Sequence, residues 1–315
     1  MLLTNGEKGE NEFIFRKAYF TYRNNIMNVK NKILSAMTVV IAMVSMAWAQ
    51  TGTPDYSWYT GPNQSTYEIA NADQLRGFAN IFNNTATAAG IARYGFANAT
   101  IKLTADIDLS DYNPWLPIGN GGDISVTADR YFAGVFDGNG KTITNLNINN
   151  TSSNAALNMA GLFRNINGGE VKNLAVVNAV VSSTQENAGV IAAVVQNGGK
   201  ITNCYVLGGT ITGTSRVGGI ASAIATSGGI ISNCWATNAV SGTSYVGGIV
   251  GNTPNATNAT ISPVLVENCA ALNVSITRRS GTDTNFGRVT GTTAGTRANN
   301  TAFAEMQAIE FTFAG

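Results

Sequence analysis

Histidine is absent from all 315 residues, cysteine occurs three times and proline six, and charged residues make up only 12% of the chain. Each scarcity excludes something. Without histidine there is no Ser-His pair for nucleophilic catalysis and no H-E-x-x-H zinc site. Three cysteines without a C-x-x-C pair argue against both a disulfide framework and a thiolate metal centre. After residue 49 there are 13 basic against 15 acidic residues, so no basic footprint for nucleic acid exists. Between Asp137 and Asp283 there is no aspartate, and the only glutamates are Glu170, Glu186 and Glu267. That stretch lacks the convergent carboxylates of glycoside hydrolysis and a carboxylate cluster to hold calcium for lyase chemistry. The expectation is no catalytic residue, no metal and no cofactor.

Long apolar runs are also scarce. The one at residues 33–46 follows Met27, Lys30 and Lys32, precedes Ala47-Trp48-Ala49, and spans 14 residues. A membrane span needs about 20. This pattern reads as a signal peptide starting at Met27 and cut after Ala49, with residues 1–26 as an upstream extension. The mature chain is then expected to be secreted or at the cell surface, with no membrane span.

What is abundant is glycine, 35 residues of it, within a chain that is 44% hydrophobic. Such a mixture suits short strands joined by tight turns around a continuous core. Repeats organise it. The segments ITNLNI, VKNLAV, ITNCYV, ISNCWA and VENCAA carry Asn145, Asn173, Asn203, Asn233 and Asn268, at intervals of 28, 30, 30 and 35 residues. A second marker follows in step: AGLF at 160, AGVI at 188, GGIA at 218, GGIV at 247 and FGRV at 286. Alternation of apolar residues breaks at each asparagine, which predicts a bend and a ladder of stacked Asn side chains, because Asn tolerates left-handed backbone and bonds to neighbouring main chain. A further short strand carries Val181, Ile211, Val240 and Val274. Three short strands per turn without a helix predict an all-β, right-handed parallel β-helix, its turns stacking about 4.8 Å apart. A leucine-rich repeat would need the L-x-x-L-x-L rhythm, which is missing.

The repeats occupy residues 99–300. Ahead of them, Asn71 and Gln74 form a capping box, and Leu75, Phe78, Ala79 and Phe82 recur at helical spacing. Residues 50–98 are therefore the expected N-terminal cap, since an open solenoid end exposes unpaired main chain. Ile101, Leu103, Ala105, Ile107 and Leu109 alternate as one strand, and D-G-N-G from Asp137 supplies a tight turn. Residues 301–315 form a tail without a recognisable cap, which predicts further chain or a partner at that end.

The order IANADQLRGFANIFNN, IKLTADIDLSDYNPWLPIG, FAGVFDGNGKTITNL, then ITNC and ISNC alternating with GGI segments, resembles the GLUG-repeat family of secreted bacterial proteins. The resemblance covers most of residues 56–300 and implies an adhesin-like surface protein whose repeats are a scaffold. Similar repeats accompany some surface metallopeptidases, from which this chain departs by having no histidine.

Candidate sites follow from matching the repeats. Cys204, Cys234 and Cys269 share one position and are expected to stack as small buried side chains. Tyr205 and Trp235 follow two of them and should face outward on adjacent turns, a platform for a sugar ring or a protein's apolar groups. Arg216 and Tyr245 align before the Gly-Gly pairs, where a cation–π contact is expected. Ser182/Thr184, Thr212/Thr214, Ser241/Thr243 and Ser275/Thr277 form a hydroxyl array of the kind seen in ice-binding solenoids. Asp106, Asp108 and Asp111 are too few for a full calcium shell and read as a solvated strand face. The expected function is a non-catalytic module that binds a glycan or an extracellular protein. The alternatives are a polysaccharide-active lyase or hydrolase and, more remotely, ice binding.

Overall fold

The computed structural model describes residues 51–313, apart from 93, 120–130, 152–158, 185 and 258–262. The signal peptide inferred at residues 27–49 and the extension before it lie outside the described residues.

Among the described residues the chain is nearly all parallel β, a solenoid of about seven turns with one α-helix. One turn illustrates the rest: Gly199–Thr202, Tyr205–Leu207, Thr210–Thr212, Ser215–Gly218 and Ala221–Ile224 are five short strands separated by corners. These are called faces 1 to 5 below. Every strand pairs in parallel with its counterpart on the next turn, building sheets of eight, seven, six, four and four strands. The three strands per turn expected from the repeats are thus five. ITNCYV is two strands meeting at Asn203, and SRVGGIASAI is two strands meeting at an arch around Gly218 and Gly219. A bend within an apolar segment leaves its alternation nearly intact, so one kinked strand and two short ones look alike in sequence.

The left-handed corner is real at Asn173, Asn203, Asn233 and Asn268, whose φ values are 53°, 52°, 54° and 51°. Asn203 Nδ2 donates to Asn173 Oδ1 at 2.7 Å, and Asn173 Nδ2 donates to Asp137 Oδ1 at 3.0 Å. Asn145 is also left-handed, but it sits one corner further on. Ile143 pairs with Val176 and Thr144 with Val177, so Asn145 aligns with Asn178, and its Nδ2 reaches Asp108 instead of the ladder. The D-G-N-G turn adds residues to that corner and shifts everything after it. Within it, Lys141 N–H donates to the Gly138 carbonyl at 2.8 Å.

Cys204, Cys234 and Cys269 are free, buried and each 1% exposed. Their thiols lie 3.2 Å from the carbonyls of Thr202, Ser232 and Glu267. Burial pushes the Cys234 thiol well above its ordinary value, and the hydrogen bond with Cys234, then burial, does the same for Cys269. On face 3, Val181, Ile211 and Val240 stack inward as expected, but their next partner is Ile276. Val274 is instead 44% exposed.

The second marker is explained by a tight arch from face 4 to face 5. A Cβ on Gly189, Gly218, Gly247 or Gly287 would fall 2.0 to 2.2 Å from the carbonyl oxygen of Ala192, Ala221, Val250 or Thr290. No other residue fits there. These glycines also set the alignment: Ala188, Val217, Val246 and Phe286 stack, so the repeat unit begins one residue before GGIA and GGIV.

At the N-terminal end, α1 (Ala72–Phe82) closes the coil. Asn71 accepts from Gln74 N–H at 2.9 Å while Gln74 Oε1 accepts from Ala70 N–H at 2.8 Å, one residue before the N-cap amide that a full capping box uses. Leu75, Phe78, Ala79 and Phe82 are buried, and Phe78 and Phe82 pack on Phe132 and Phe136 of the first turns. Burying a side chain of this size contributes roughly 1.5–3 kcal/mol. The coil itself begins within this region, because Thr66–Ile69 pairs with Thr100–Leu103 on face 1. The single strand expected through Leu109 is broken: Thr100–Leu103 and Ile107–Asp108 lie on faces 1 and 2, with a corner between.

The coil also continues past residue 300. Thr301–Ala302 extends face 2, Gln307–Ile309 extends face 3, and Phe311 stacks on Phe286 with centroids 4.6 Å apart. Face 1 carries one column of alternating charge, Glu68, Lys102, Asp137 and Lys172, followed by the uncharged Thr202 and Ser232. No helix of the described residues is long and apolar enough to cross a membrane.

Candidate functional site

Tyr205 and Trp235 begin the face 2 strands of adjacent turns and pair directly in register. Their rings stack with centroids 4.4 Å apart and planes within 4°, both half-buried. At a spacing this close to the turn repeat, each ring spends one face on the other. The register continues the column to Ala175 and Thr142 on one side and to Ala270 and Thr301 on the other. Small residues flank the stack, so no neighbouring side chain in the column extends it. Burial raises the Tyr205 hydroxyl above its ordinary value, and the charge of Asp106 adds to the effect. Beside this column, Val177, Leu207, Leu272 and Phe303 are half-buried, making the outside of face 2 largely apolar.

Arg216 and Tyr245 also occupy equivalent positions, between the paired residues Ser215↔Ser244 and Val217↔Val246. The expected cation–π contact between them does not form. The Arg216 guanidinium is taken by Glu186, through Nη1 to Oε2. Both residues are left-handed, at φ 53°, and half-exposed. Ser244 Oγ donates to Ser215 Oγ at 3.0 Å beside them.

The hydroxyl array is less regular than expected. Ser182, Thr212 and Ser241 share a column, but its next member is Thr277, while Ser275 aligns with Ala239. Thr214 lies past the end of face 3, where its Oγ1 donates to the Thr184 carbonyl at 3.0 Å, so the two rows do not lie on one flat face. Asp106 and Asp108 serve main chain and amides: Asp106 Oδ1 accepts from Thr142 N–H, and Asp108 Oδ1 from Ser110 N–H and Asn145 Nδ2. Asp111 accepts from Thr51 Oγ1. Among the described residues, no three His, Cys, Asp or Glu side chains come together to hold a metal. A depression of about 300 Å³ lined by Pro114, Trp115, Pro117, Ile148 and Thr151 lies away from the stack and carries no ionisable side chain.

Sequence reasoning did not find the buried pair Asn238 and Asn273, 1% and 0% exposed, where Asn273 Nδ2 donates to the Asn238 carbonyl at 2.7 Å. It also missed Glu186 as the partner of Arg216; the 30-residue spacing of the two was the available signal.

No family model matches this chain, and no curated protein matches it. A solved structure does: a crystal structure of a candidate immunoglobulin A1 protease from Bacteroides ovatus, 23% identical, aligned over 81% of this chain and 80% of its own, with a TM-score of 0.53. At that identity the likeness is one of fold, and the fold is a parallel β-solenoid shared over most of both chains.

Proposed function

We propose that the chain is a secreted or cell-surface, adhesin-like module of the GLUG-repeat type, which binds a glycan without catalysis. The observation carrying this reading is the Tyr205–Trp235 stack on an apolar face. Two parallel, half-buried aromatic rings flanked by alanines suit the apolar face of a sugar ring. The lack of histidine in the sequence and the occupied carboxylates of Asp106 and Asp108 favour binding over hydrolysis. The solved neighbour's description raises a peptide-cleaving alternative, and a polysaccharide-active enzyme is another. Arrays of glycans and matrix proteins, with assays on peptide and polysaccharide panels, separate these readings. Binding to a glycan that is lost in Tyr205→Ala/Trp235→Ala is the expected result. Product formation abolished by one acidic or basic substitution would sink the non-catalytic reading.

A further inference from the structure

Left-handed backbone is disfavoured for every residue with a Cβ, and Asn bears it best. This chain follows the rule closely. Of the fifteen non-glycine residues with positive φ among the described residues, eleven are Asn, and the exceptions are Phe96, Arg216, Tyr245 and Glu310. Phe96 is fully buried among Tyr67, Phe78 and Tyr94, so core packing holds it. Arg216 and Tyr245 have no such compensation, since both are half-exposed. They sit in register on adjacent turns, whereas Asn187 and Asn285, which precede Ala188 and Phe286 on the turns either side, are not left-handed. At this corner the left-handed turn is therefore confined to two coils, and both carry there a side chain that bears it poorly, although Asn bears it at the other corners. Retained strain of this kind marks side chains kept for what they touch.

We propose that Glu186, Arg216 and Tyr245 form a second saccharide site on face 4, separate from the Tyr205–Trp235 stack and selective for neutral, hydroxyl-rich sugars. The proposal rests on the glycan-binding reading above. The Arg216–Glu186 pair presents a donor and an acceptor side by side on adjacent turns, matching two neighbouring sugar hydroxyls that each donate and accept. Tyr245 adds a ring face and a phenol one turn further along. The Ser215 and Ser244 hydroxyls line the same stretch. A ligand bearing its own carboxylate would compete with Glu186 for Arg216 and meet its charge, which sets the preference for neutral sugars.

The test compares the purified protein with Arg216→Asn/Tyr245→Asn and Tyr205→Ala/Trp235→Ala on neutral gluco- and manno-oligosaccharides and on oligogalacturonates. Removing Arg216 and Tyr245 is expected to weaken neutral-sugar binding at least roughly tenfold, in line with loss of a binding hot spot. The same variant is expected to melt about 2–4 °C higher, because the strain is relieved. These opposite signs separate binding from structure. Unchanged binding in that variant, with affinity lost only in the Tyr205/Trp235 variant, overturns the second site while leaving the glycan reading intact. Retention of oligogalacturonate binding alone overturns the selectivity. Absence of binding to any sugar by the unmodified protein overturns both readings.

Discussion

Gly248 and Asn273 face each other inside the coil: a Cβ on Gly248 would lie 2.3 Å from Asn273 Oδ1, and one on Gly219 would lie 2.7 Å from Asn238 Oδ1. Both amides are buried, so neither can swing into solvent. Gly248→Ala must overpack the interior or break the hydrogen bond from Asn273 to Asn238. We expect a loss of about 2–4 kcal/mol, read as a lower urea midpoint. Gly95→Ala is the control, because a Cβ there meets nothing within 4 Å, and should stay within about 0.5 kcal/mol.

The Tyr205–Trp235 stack should be measurable as a coupling. A double-mutant cycle with Tyr205→Ala and Trp235→Ala is expected to give about 0.5–1.5 kcal/mol beyond the separate losses. Additive single effects would mean that the rings do not stack in solution.

Stability should be flat from about pH 5 to pH 8, because histidine, the side chain that ordinarily titrates there, is missing. Acid is different. The Asn145 amide and then Ser110 N–H hold Asp108 below its usual value, and Ser57, through main chain and hydroxyl, does the same for Asp55. Their stabilising contribution is present above the unfolded carboxylate value near about 3.9 and is lost as pH falls through the lower folded value. The urea midpoint should therefore begin to fall below about pH 4, and less steeply in Asp108→Asn. A fall already under way at pH 6 would contradict this.

Thiol reagents need access to a thiolate; burial opposes its formation at Cys234, the hydrogen bond with Cys234 and then burial oppose it at Cys269, and all three side chains are buried. The native protein should leave Cys204, Cys234 and Cys269 unlabelled by a disulfide reagent at mildly alkaline pH, and denatured protein should react at all three. Labelling of the native protein on mixing would show that the core opens readily or that the stack is misplaced.

The sequence made the solenoid and its aromatic pair legible for one reason: Tyr205 and Trp235 each follow a Cys, two residues after an Asn whose left-handed geometry recurs at a 30-residue interval. Where turns differ in length, matching by string alone misleads. N-A-V occurs at residues 178 and 238, yet Val181 aligns with Val240, so Asn238 takes the place of Ala179. One asparagine is exposed and left-handed at φ 55°; the other lies in the core. The repeat pattern also misplaces Asn145, displaced by the extra residues of the D-G-N-G turn, and Val274, which stands two positions before the true partner Ile276. The Arg216–Glu186 pair depends on a long side chain reaching back a turn, which no local pattern records.

The column of alternating charge on face 1 has a consequence for how such a coil can change length. From Glu68 to Lys172 each turn is matched to its neighbours by sign, so deleting one turn would bring like charges together. Between Asn203 and Asn233 the column holds only hydroxyls, and both corners begin with the same Asn-Cys pair. Residues 203–232 are thus a removable module: excising or copying them rejoins equivalent corners and leaves the order of charges untouched. Such a change in length falls between Lys172 and Glu267, where the column resumes its charges.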